Sequence, residues 1–426
     1  MSTQDRLKVT LWVPRFWPAM GGTELHTHAL AHHLADIHTV DVITHADTND
    51  CASSTLARDA VLSQTTRYHD GNITIHRTGF DGIKKTIGAF IGRFHNSQPL
   101  FRKLFSLYFR CCIKPRTAAI TQNSDLIHYV YNGLTDAALL AAEHAELQGI
   151  PFVFTPNVLN TAAHGSPWDS GAFHHLYGVA TSIIALTQHE ADWLVARGVC
   201  ASKLTVVPYG PILEPSAEAA RFRRRIHAED DPIVLFLGRV VPIKGYDLLL
   251  TAIQQVWQDH PTARLVFVGP AIAASRALIS ALDDTRVTLI EDIDQQGKAD
   301  ALAACDMLCV PSSMESLGVV YIEAAFNAKP VIACRLPVLE QVIEHEKDGF
   351  LVSPDALSIA DAIACLLADD QLRKTMGRHA AEKAHERYDW STVSHAVTLV
   401  YRQALARHAT RAHHGNTASV TQPIPN

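Results

Sequence analysis

The chain has 426 residues, and its 37 Lys and Arg against 43 Asp and Glu give a formal net charge of −6. This balance excludes a general electrostatic attraction to nucleic acid. Hydrophobic residues make up 47% of the chain and charged residues 19%, which allows a large buried core. The length suggests two or three domains. No apolar run approaches a membrane span and no secretory signal pattern opens the chain, so we expect a cytoplasmic protein.

Short β-branched runs alternate with helical patterns through the first half of the chain. Strands are predicted at residues 8–13, 39–44, 73–77, 126–130, 152–155, 182–186 and 204–207. Helical patterns at residues 24–35 and 135–147 lie between them. Such alternation is typical of parallel sheets covered by helices on both faces.

A Pro- and Gly-rich stretch after Pro208 and the charged segment 221–231 interrupt the pattern and predict an interdomain linker. A second series then follows. Its strands are predicted at residues 233–237, 265–268, 287–290, 307–310, 331–333 and 350–352, with helices at 246–258, 317–327 and 357–367. We therefore expect two doubly wound α/β domains, residues 1–210 and 211–388, facing a cleft. A last helix, 389–407, is expected to return to the first domain, and 408–426 to be a disordered tail.

Two strand ends carry residues suited to an anion. Ligands of doubly wound sheets bind beyond the carboxyl ends of the strands. After the first strand, Gly21 and Gly22 precede a helix, whose N-terminus favours negative charge. After the strand that ends at residue 237, Gly238 is followed by Arg239 and Lys244, and two fixed cations suit a diphosphate.

A third strand end, residues 311–325, places carboxylates around a helix start. Glu315 precedes the predicted helix and Glu323 lies inside it. The amides near Gly318 are suited to phosphate, while carboxylates suit hydroxyl groups on either side. Two glutamates on one helix are common, so this spacing alone is a weak signal.

Together these motifs resemble the retaining glycosyltransferases of family 4. The resemblance rests on Gly-Gly near the N-terminus, then G-R-x4-K-G at residues 238–245, then P-S-x2-E-S-x-G-x4-E-A at 311–324. Residues 125–128, 185–190 and 329–333 also look like that family, and the likeness covers about residues 8–405. It implies the GT-B fold, in which two Rossmann-like domains face a cleft and the second binds most of the donor.

By this resemblance, Arg239 and Lys244 hold the donor diphosphate and stabilise the departing nucleotide. Glu323 would bind the ribose hydroxyls, and Glu315 would lie against the transferred sugar. The remaining donor-binding positions implied are backbone positions: Gly21, Gly22, Gly238, Gly318 and Val319. Fixed cations and helix N-termini bind the departing diphosphate more strongly as its charge grows, so neither a metal nor a cofactor is expected.

The acceptor side departs from the family. Many relatives have a histidine after the strand at 152–155, where this chain has Asn157. Asparagine can donate a hydrogen bond but cannot act as a base at neutral pH. His164 is the nearest substitute, and His128 is a weaker candidate because it also fits a core position. A retaining reaction does not require a protein base if the departing phosphate accepts the proton.

Two further patterns raise the question of a metal. Asp292 and Asp294 form a D-x-D, and His28 and His32 lie one helical turn apart. The D-x-D follows a strand of the second domain, and no third ligand is placed beside the histidines by the sequence. The expectation remains that no metal is bound.

The segment between Asp81 and Asp125 contains no acidic residue. Its cations alternate with aromatic residues and are Lys84, Lys85, Arg93, Arg102, Lys103, Arg110, Lys114 and Arg116. This pattern suits an anionic membrane surface or a lipid diphosphate, and an amphipathic pair of helices with solvated cations is the alternative. Phe94, Phe101, Phe105 and Phe109 recur at helical spacing.

We therefore expect a transferase that moves a sugar from a UDP- or GDP-sugar to a glycan or lipid-linked acceptor in cell-envelope polysaccharide synthesis. The enzyme would be cytoplasmic or peripheral at the inner face of the membrane. Two alternatives stay open: a GT-B sugar-nucleotide epimerase, and a non-catalytic protein that binds sugar nucleotides. The donor base, the sugar and the acceptor stay open as well.

Overall fold

A computed structural model of the chain describes residues 6–19, 21–46, 56–94, 98–159 and 166–418. His164 therefore lies outside the described residues. The strands form two sheets, one of eight strands and one of six. Each sheet is the centre of its own α/β unit, as the alternating sequence pattern predicts.

The first sheet has the strand order β3-β4-β2-β1-β5-β6-β7-β8. Its strands are β1 (Lys8–Trp12), β2 (Thr39–Thr44), β3 (Thr66–Asp70), β4 (Ile73–Arg77), β5 (Leu126–Val130), β6 (Phe152–Thr155), β7 (Ser182–Ala185) and β8 (Leu204–Val206). Its helices are α1 (Gly22–Ile37), α2 (Leu56–Leu62), α3 (Ile83–Arg93), α4 (Pro99–Thr121), α5 (Thr135–Gln148), α6 (Gly171–Val179) and α7 (Gln188–Val195).

The edge strand β3 corrects the expectation of a wholly parallel sheet. It pairs antiparallel with β4 through a short connection at Gly71, whose φ is +54°. The sequence of β3 contains polar residues on both faces, because an edge strand is not covered on both sides. This is why hydrophobic alternation alone did not predict it.

The second sheet has the order β11-β10-β9-β12-β13-β14, and all its pairings are parallel. Its strands are β9 (Ile233–Leu237), β10 (Arg264–Val268), β11 (Val287–Ile290), β12 (Met307–Val310), β13 (Val331–Cys334) and β14 (Gly349–Val352). Its helices are α8 (Ala219–Arg225), α9 (Tyr246–Val256), α10 (Ala273–Ala281), α11 (Gln295–Ala304), α12 (Val319–Phe326), α13 (Ala356–Ala368) and α14 (Asp370–Tyr388). Helix α8 corrects the linker prediction, because Arg221 on it is fixed by an ion pair to Asp300 of α11.

The two sheets share one topological feature. In the first, β1 lies between β2 and β5, and in the second, β9 lies between β10 and β12. The chain therefore continues from β1 to β2, and from β9 to β10, on one side of each central strand. It later returns to the opposite side as β5 and β12. Crevices form at such switch points, beyond the carboxyl ends of the strands. The loops after β1, β5, β9 and β12 are thus where a ligand is expected.

The last helix, α15 (Trp390–Ala418), contacts the first unit. The Thr398 hydroxyl lies 3.1 Å from His38 Nε2, and Arg407 donates to the Ser182 hydroxyl at 2.9 Å. The tail predicted to be disordered from residue 408 is helical as far as Ala418, as the continuation of α15. Residues 419–426 lie outside the described residues. None of the described helices combines the length and apolarity needed to cross a bilayer.

Candidate active site

Two glycines shape the end of β9. Gly238 has φ +135° and Gly269, after the neighbouring β10, has φ +133°. A Cβ on Gly269 would lie 2.3 Å from the Gly238 carbonyl oxygen, so glycine is required at position 269, where the two loops pass each other. The β9 loop first follows the β10 loop through the bridge between Val240 and Ala271. Its later residues then reach the switch point between β9 and β12.

Lys244 and Glu315 meet across this switch point. Lys244 ends a short 3₁₀ turn after β9, and its Nζ lies 2.6 Å from Glu315 Oε1. Ser312 donates to the same carboxylate oxygen at 2.8 Å. Glu315 is 8% exposed, so burial strengthens the attraction between the two charges. The structure therefore brings together two of the predicted catalytic residues.

Backbone contacts fix the two loops against each other. The Ser313 amide donates to the Ile243 carbonyl at 2.9 Å. Gly245, with φ +73°, packs so closely that a Cβ there would lie 2.1 Å from the Pro311 carbonyl oxygen. These backbone contacts consequently hold the main chain at Lys244 close to the loop that carries Glu315.

Arg239 is exposed and forms no ion pair or side-chain hydrogen bond within the described part of the chain. It follows Gly238 directly on the β9 loop. Its five N–H donors are therefore available to a ligand at the same crevice. An unneutralised guanidinium beside a Lys–Glu pair leaves net positive charge at this strand end.

The start of α12 lies on the other side of Glu315. Gly318 has φ +77° and precedes Val319, the first residue of the helix. A Cβ on Gly318 would lie 2.7 Å from the Tyr321 ring and 2.8 Å from Leu339, so glycine is required there. The Tyr321 hydroxyl donates to the Val310 carbonyl at 2.6 Å and anchors the helix to β12. The amides at Gly318 and Val319 thus begin a helix at the carboxyl edge of the sheet.

Glu323 lies in a separate environment within α12. It is 3% exposed, and its Oε1 accepts from Lys298 Nζ at 2.5 Å and from the Ile212 amide at 3.2 Å. The Ile212 amide belongs to the segment that connects the two units. Glu323 therefore contacts the interdomain connection, whereas Glu315 contacts the β9 loop.

Sequence reasoning missed Lys298. It lies on α11, which precedes β12, and its charge approaches Glu323 only through the packing of α11 beside α12. No strand-end motif marks it. No spacing in the sequence connects Lys298 with Glu323.

The first unit contributes the N-terminus of α1. Gly21 caps the helix, and a Cβ on it would lie 2.3 Å from Glu24 Oε2, whereas a Cβ on Gly22 would have no atom within 4 Å. The Glu24 carboxylate thus covers Gly21 and leaves Gly22 open. Burial raises the pKa of Glu24, while hydrogen bonding to its own backbone, Arg15 and Asn132 act in the opposite direction. Of the two predicted glycines, Gly22 is exposed and Gly21 is partly covered by Glu24.

Asn132 and His26 are further polar residues that sequence reasoning missed. Asn132, after β5, donates to the Arg15 carbonyl at 2.9 Å, and its Oδ1 is buried with no hydrogen-bond partner within the described residues. His26 stacks on Tyr209 with ring centroids 5.3 Å apart. Burial lowers the pKa of His26 to about 3, and the Lys298 charge adds to that effect. His26 is thus a neutral imidazole facing the second unit.

Two of the three candidate acceptor residues, Asn157 and His128, lie within the described residues and have different surroundings. Asn157 has φ +51°, donates to the Tyr131 carbonyl at 2.9 Å and accepts from the Tyr209 hydroxyl at 3.0 Å. His128 is 1% exposed, and its ring nitrogens each lie 2.8 Å from a hydroxyl, of Tyr401 and Thr155. His128 is therefore a core residue and cannot reach an acceptor. Asn157 remains beside the crevice of the first sheet.

One aspartate of the D-x-D has a structural role. Asp294 caps α11 by accepting from the Gly297 amide at 2.7 Å. An aspartate at this position satisfies an otherwise unpaired amide of the helix start. Capping accounts for Asp294 without a ligand.

Comparison with known proteins identifies the family. Residues 20–212 match the model described as Glycosyltransferase Family 4, and residues 218–383 match Glycosyl transferases group 1. A D-inositol 3-phosphate glycosyltransferase of Xylanimonas cellulosilytica is 30% identical over 314 residues, which are 67% of this chain and 74% of that protein. The chain belongs to glycosyltransferase family 4. A family 4 phosphatidyl-myo-inositol mannosyltransferase of Mycobacterium tuberculosis is 28% identical, over 65% of this chain and 73% of that protein.

Solved structures support the fold of this family 4 glycosyltransferase. Anabaena HepE in complex with UDP and glucose has a TM-score of 0.66 at 20% identity, and the match covers 92% of this chain and 98% of that chain. The sucrose-phosphate synthase of Thermosynechococcus elongatus has a TM-score of 0.67 at 21% identity, covering 94% and 100%. The two Rossmann-like units therefore form a GT-B fold, as the motifs led us to expect.

Proposed function

We propose that this family 4 enzyme transfers a sugar from a UDP- or GDP-sugar with retention of configuration and without a metal in the reaction. The observation that carries the proposal is the meeting of Lys244, Glu315 and the start of α12 beside the exposed Arg239. Cations and helix amides at one crevice suit a diphosphate, and buried carboxylates on either side suit hydroxyl groups.

The charges fit the demands of the transfer. Cleavage of the bond between sugar and phosphate leaves positive character on the sugar and negative charge on the departing diphosphate. Arg239 and Lys244 stabilise that departing charge more strongly than the ground state. Glu315 holds Lys244 in position and accepts hydrogen bonds from the sugar. Glu323, fixed by Lys298, receives the ribose hydroxyls at the opposite end of the donor.

Retention is consistent with the absence of a histidine at position 157. Asn157 cannot remove a proton, but the departing phosphate can take the proton of the acceptor hydroxyl on the same face of the sugar. Asn157 would then position the acceptor or the sugar through its amide. A UDP-bound relative of the same fold makes a uridine nucleotide the first donor to test.

The acceptor is proposed to be a glycan or a lipid-linked intermediate of the cell envelope. The curated relatives act on inositol phosphate and phosphatidyl-myo-inositol, by their names. A surface of the first unit adds a physical argument for a lipid. Exposed apolar side chains lie on α3 and α4, namely Ile83, Ile87, Phe90, Leu100, Leu104 and Leu107. Each of the first three is at least 44% exposed.

Cations without an ion pair within the described residues lie on the same two helices as those apolar side chains. Arg110 and Lys114 are neutralised by Glu143, and Arg116 by Asp81. The other cations of the segment form no ion pair within the described residues: Lys84, Lys85, Arg93, Arg102 and Lys103. We propose that this basic apolar surface attaches the enzyme reversibly to an anionic membrane, with the active site near a lipid-linked acceptor.

A transfer assay tests the proposed function. Purified protein is incubated with UDP- and GDP-sugars and a membrane lipid extract, and sugar release, transfer and epimerisation are measured separately. We expect transfer, with slow donor hydrolysis in the absence of acceptor. Epimerised donor would instead indicate the epimerase alternative. Nucleotide binding without any turnover would indicate the non-catalytic alternative.

Chelation tests metal independence. After EDTA treatment, turnover with the same donor is expected to stay within about twofold, because Arg239, Lys244 and helix amides supply the positive charge. Loss of turnover that Mg²⁺ or Mn²⁺ restores would contradict the proposal.

A further inference from the structure

Three side chains of the first unit converge on one point away from the candidate active site. His28 and His32 lie one turn apart on α1, and Asp70 ends the edge strand β3. His28 Nε2 lies 2.7 Å from Asp70 Oδ2, His32 Nε2 lies 3.3 Å from the same oxygen, and the two Nε2 atoms are 3.1 Å apart. The three atoms form a closed triangle.

Hydrogen bonds alone do not explain this triangle. A neutral imidazole carries one N–H, so a proton on His28 Nε2 can point to Asp70 or to His32 but not serve both well. If both Nε2 atoms carry protons, the two N–H groups face each other. If only one does, a lone pair of the other faces the carboxylate. One contact is unfavourable in every arrangement of neutral rings.

We propose that His28, His32 and Asp70 bind a zinc ion, with a water molecule as the fourth ligand. Zinc bonds to imidazole nitrogen and carboxylate oxygen are about 2.0–2.2 Å long, so tetrahedral ligand atoms lie roughly 3.3–3.5 Å apart. Two edges of the triangle are within a few tenths of an ångström of that separation. Imidazole ligands favour zinc over magnesium or calcium.

The surroundings support a prepared site. The His28 ring is held between Trp17, with centroids 5.2 Å apart, and Phe16, at 5.5 Å. Gly71 leaves room for His32, since a Cβ there would lie 3.2 Å from His32 Cε1. The three side chains are between 23% and 35% exposed, which leaves space for a water ligand on the solvent side.

The proposed reaction uses none of the three ligands. Asp70 lies on β3, the outer strand of the first sheet, which β4 and β2 separate from β1. Only the His28 ring approaches the loop after β1, through Phe16 and Trp17. A bound zinc would connect α1 to the β3–β4 hairpin. This inference does not depend on the proposed function. The sequence alone places no third ligand beside the two histidines, and the unpredicted hairpin supplies one.

Zinc binding to the metal-stripped full-length protein tests the proposal. Competition with a chromophoric chelator measures bound zinc for wild type, His28→Ala, His32→Ala and Asp70→Asn. His69→Ala is the matched control, because His69 neighbours Asp70 but contacts Thr74 instead. We expect the three variants to lose one tightly bound equivalent and the control to retain it. Equal zinc binding by wild type and Asp70→Asn would overturn the proposal.

Two further measurements keep the test decisive if a variant folds poorly. Zinc should raise the melting temperature of wild type and of His69→Ala by several degrees, and Mg²⁺ should not. X-ray absorption of the zinc-loaded wild type should show nitrogen and oxygen neighbours at about 2.0–2.2 Å with imidazole scattering. Sulfur neighbours, which exposed cysteines such as Cys200 would provide, would overturn the assignment.

Discussion

Lys244 and Arg239, the two cations that follow β9, differ in their ion pairing, although both are proposed to stabilise the departing diphosphate. Lys244 neutralises the buried Glu315, whereas Arg239 is exposed and without an ion pair in the described part of the chain. Removing Lys244 therefore leaves a buried carboxylate unpaired, which costs stability. Removing Arg239 does not. The two residues can thus be distinguished by comparing activity with stability.

We expect Arg239→Ala to lower kcat on the order of 100-fold or more with little change in melting temperature, because a fixed transition-state donor is lost. Lys244→Ala should lower kcat similarly and also lower the melting temperature. Steady-state kinetics and thermal unfolding measure both effects. Lys374→Ala, an exposed cation of α14, is the control. Turnover near the wild-type value in both Arg239→Ala and Lys244→Ala would reject the site.

The two glutamates should report on opposite ends of the donor. Glu323→Gln is expected to raise the Kd of UDP or GDP about tenfold or more, because a hydrogen bond to a charged group contributes roughly 1.5–3 kcal/mol. Glu315→Gln should leave that Kd almost unchanged and slow transfer. Calorimetric titration of each nucleotide measures the first effect. If both variants weaken nucleotide binding equally, the assignment of the two ends is wrong.

At the scale of whole elements, α3 and α4 show how one helix pattern divides between core and surface. The spacing of Phe94, Phe101, Phe105 and Phe109 is compatible with one helical face, which could serve membrane contact or belong to the core. Phe105 and Phe109 are instead fully buried in the first unit. The exposed apolar residues of α4 are leucines on its other side. The hypothesis of membrane attachment therefore rests on the positive charge of the segment and on the exposed leucines, not on Phe105 and Phe109.

We expect the protein to sediment with anionic liposomes and not with neutral ones, less strongly at high salt. Replacing Arg102 and Lys103 by Glu should weaken that binding at least tenfold, since each basic residue near an anionic surface contributes up to about 1 kcal/mol. The control makes the same charge change on α8, Arg224→Glu with Arg225→Glu. Equal recovery with both liposome types, or an equal loss in the control, would argue against membrane attachment.

Over the whole molecule, four buried histidines of the first unit connect stability to pH. Burial lowers the pKa of His26 and His128 to about 3, and of His45 and His144 to about 4. The unfolded chain takes up these protons near pH 6.5, so it gains protons that the folded state does not. The free energy of unfolding is therefore highest, as far as these histidines determine it, above pH 6.5. It falls as the pH decreases from 6.5 toward their folded-state pKa values of about 3 to 4.

The urea midpoint of the first unit, followed by tryptophan fluorescence, should fall between pH 7 and pH 5. Each such histidine contributes at most about 1.4 kcal/mol per pH unit. His128→Gln should lower stability at pH 7 but reduce the pH dependence by about one proton. His174→Gln, on the exposed side of α6, is the control and should keep the full dependence. A pH-independent wild type would contradict the prediction.

Structural features that depend on residues close together in the sequence were predicted. Contacts between residues far apart in the sequence were missed. Strand positions, the glycines after β9 and the carboxylates around α12 follow from local patterns of apolar residues and turns. Lys298 was missed because helix packing, not spacing, brings it to Glu323. Asp70 was missed because it lies on a polar edge strand, and His128 was offered as a site residue although its partner Tyr401 lies on α15.

The contact between Trp390 and Pro211 has a consequence for how this protein can be divided. Trp390 Nε1 donates to the Pro211 carbonyl at 2.7 Å, so the chain leaves and re-enters the first unit at adjacent points. The second unit is thus an insertion within the first, and its two ends already lie together. Cutting at residue 210 would remove the helix that covers α1. We expect a stable first unit only when 6–210 is joined directly to 390–418 by a short loop, and a stable second unit from 211–389 alone.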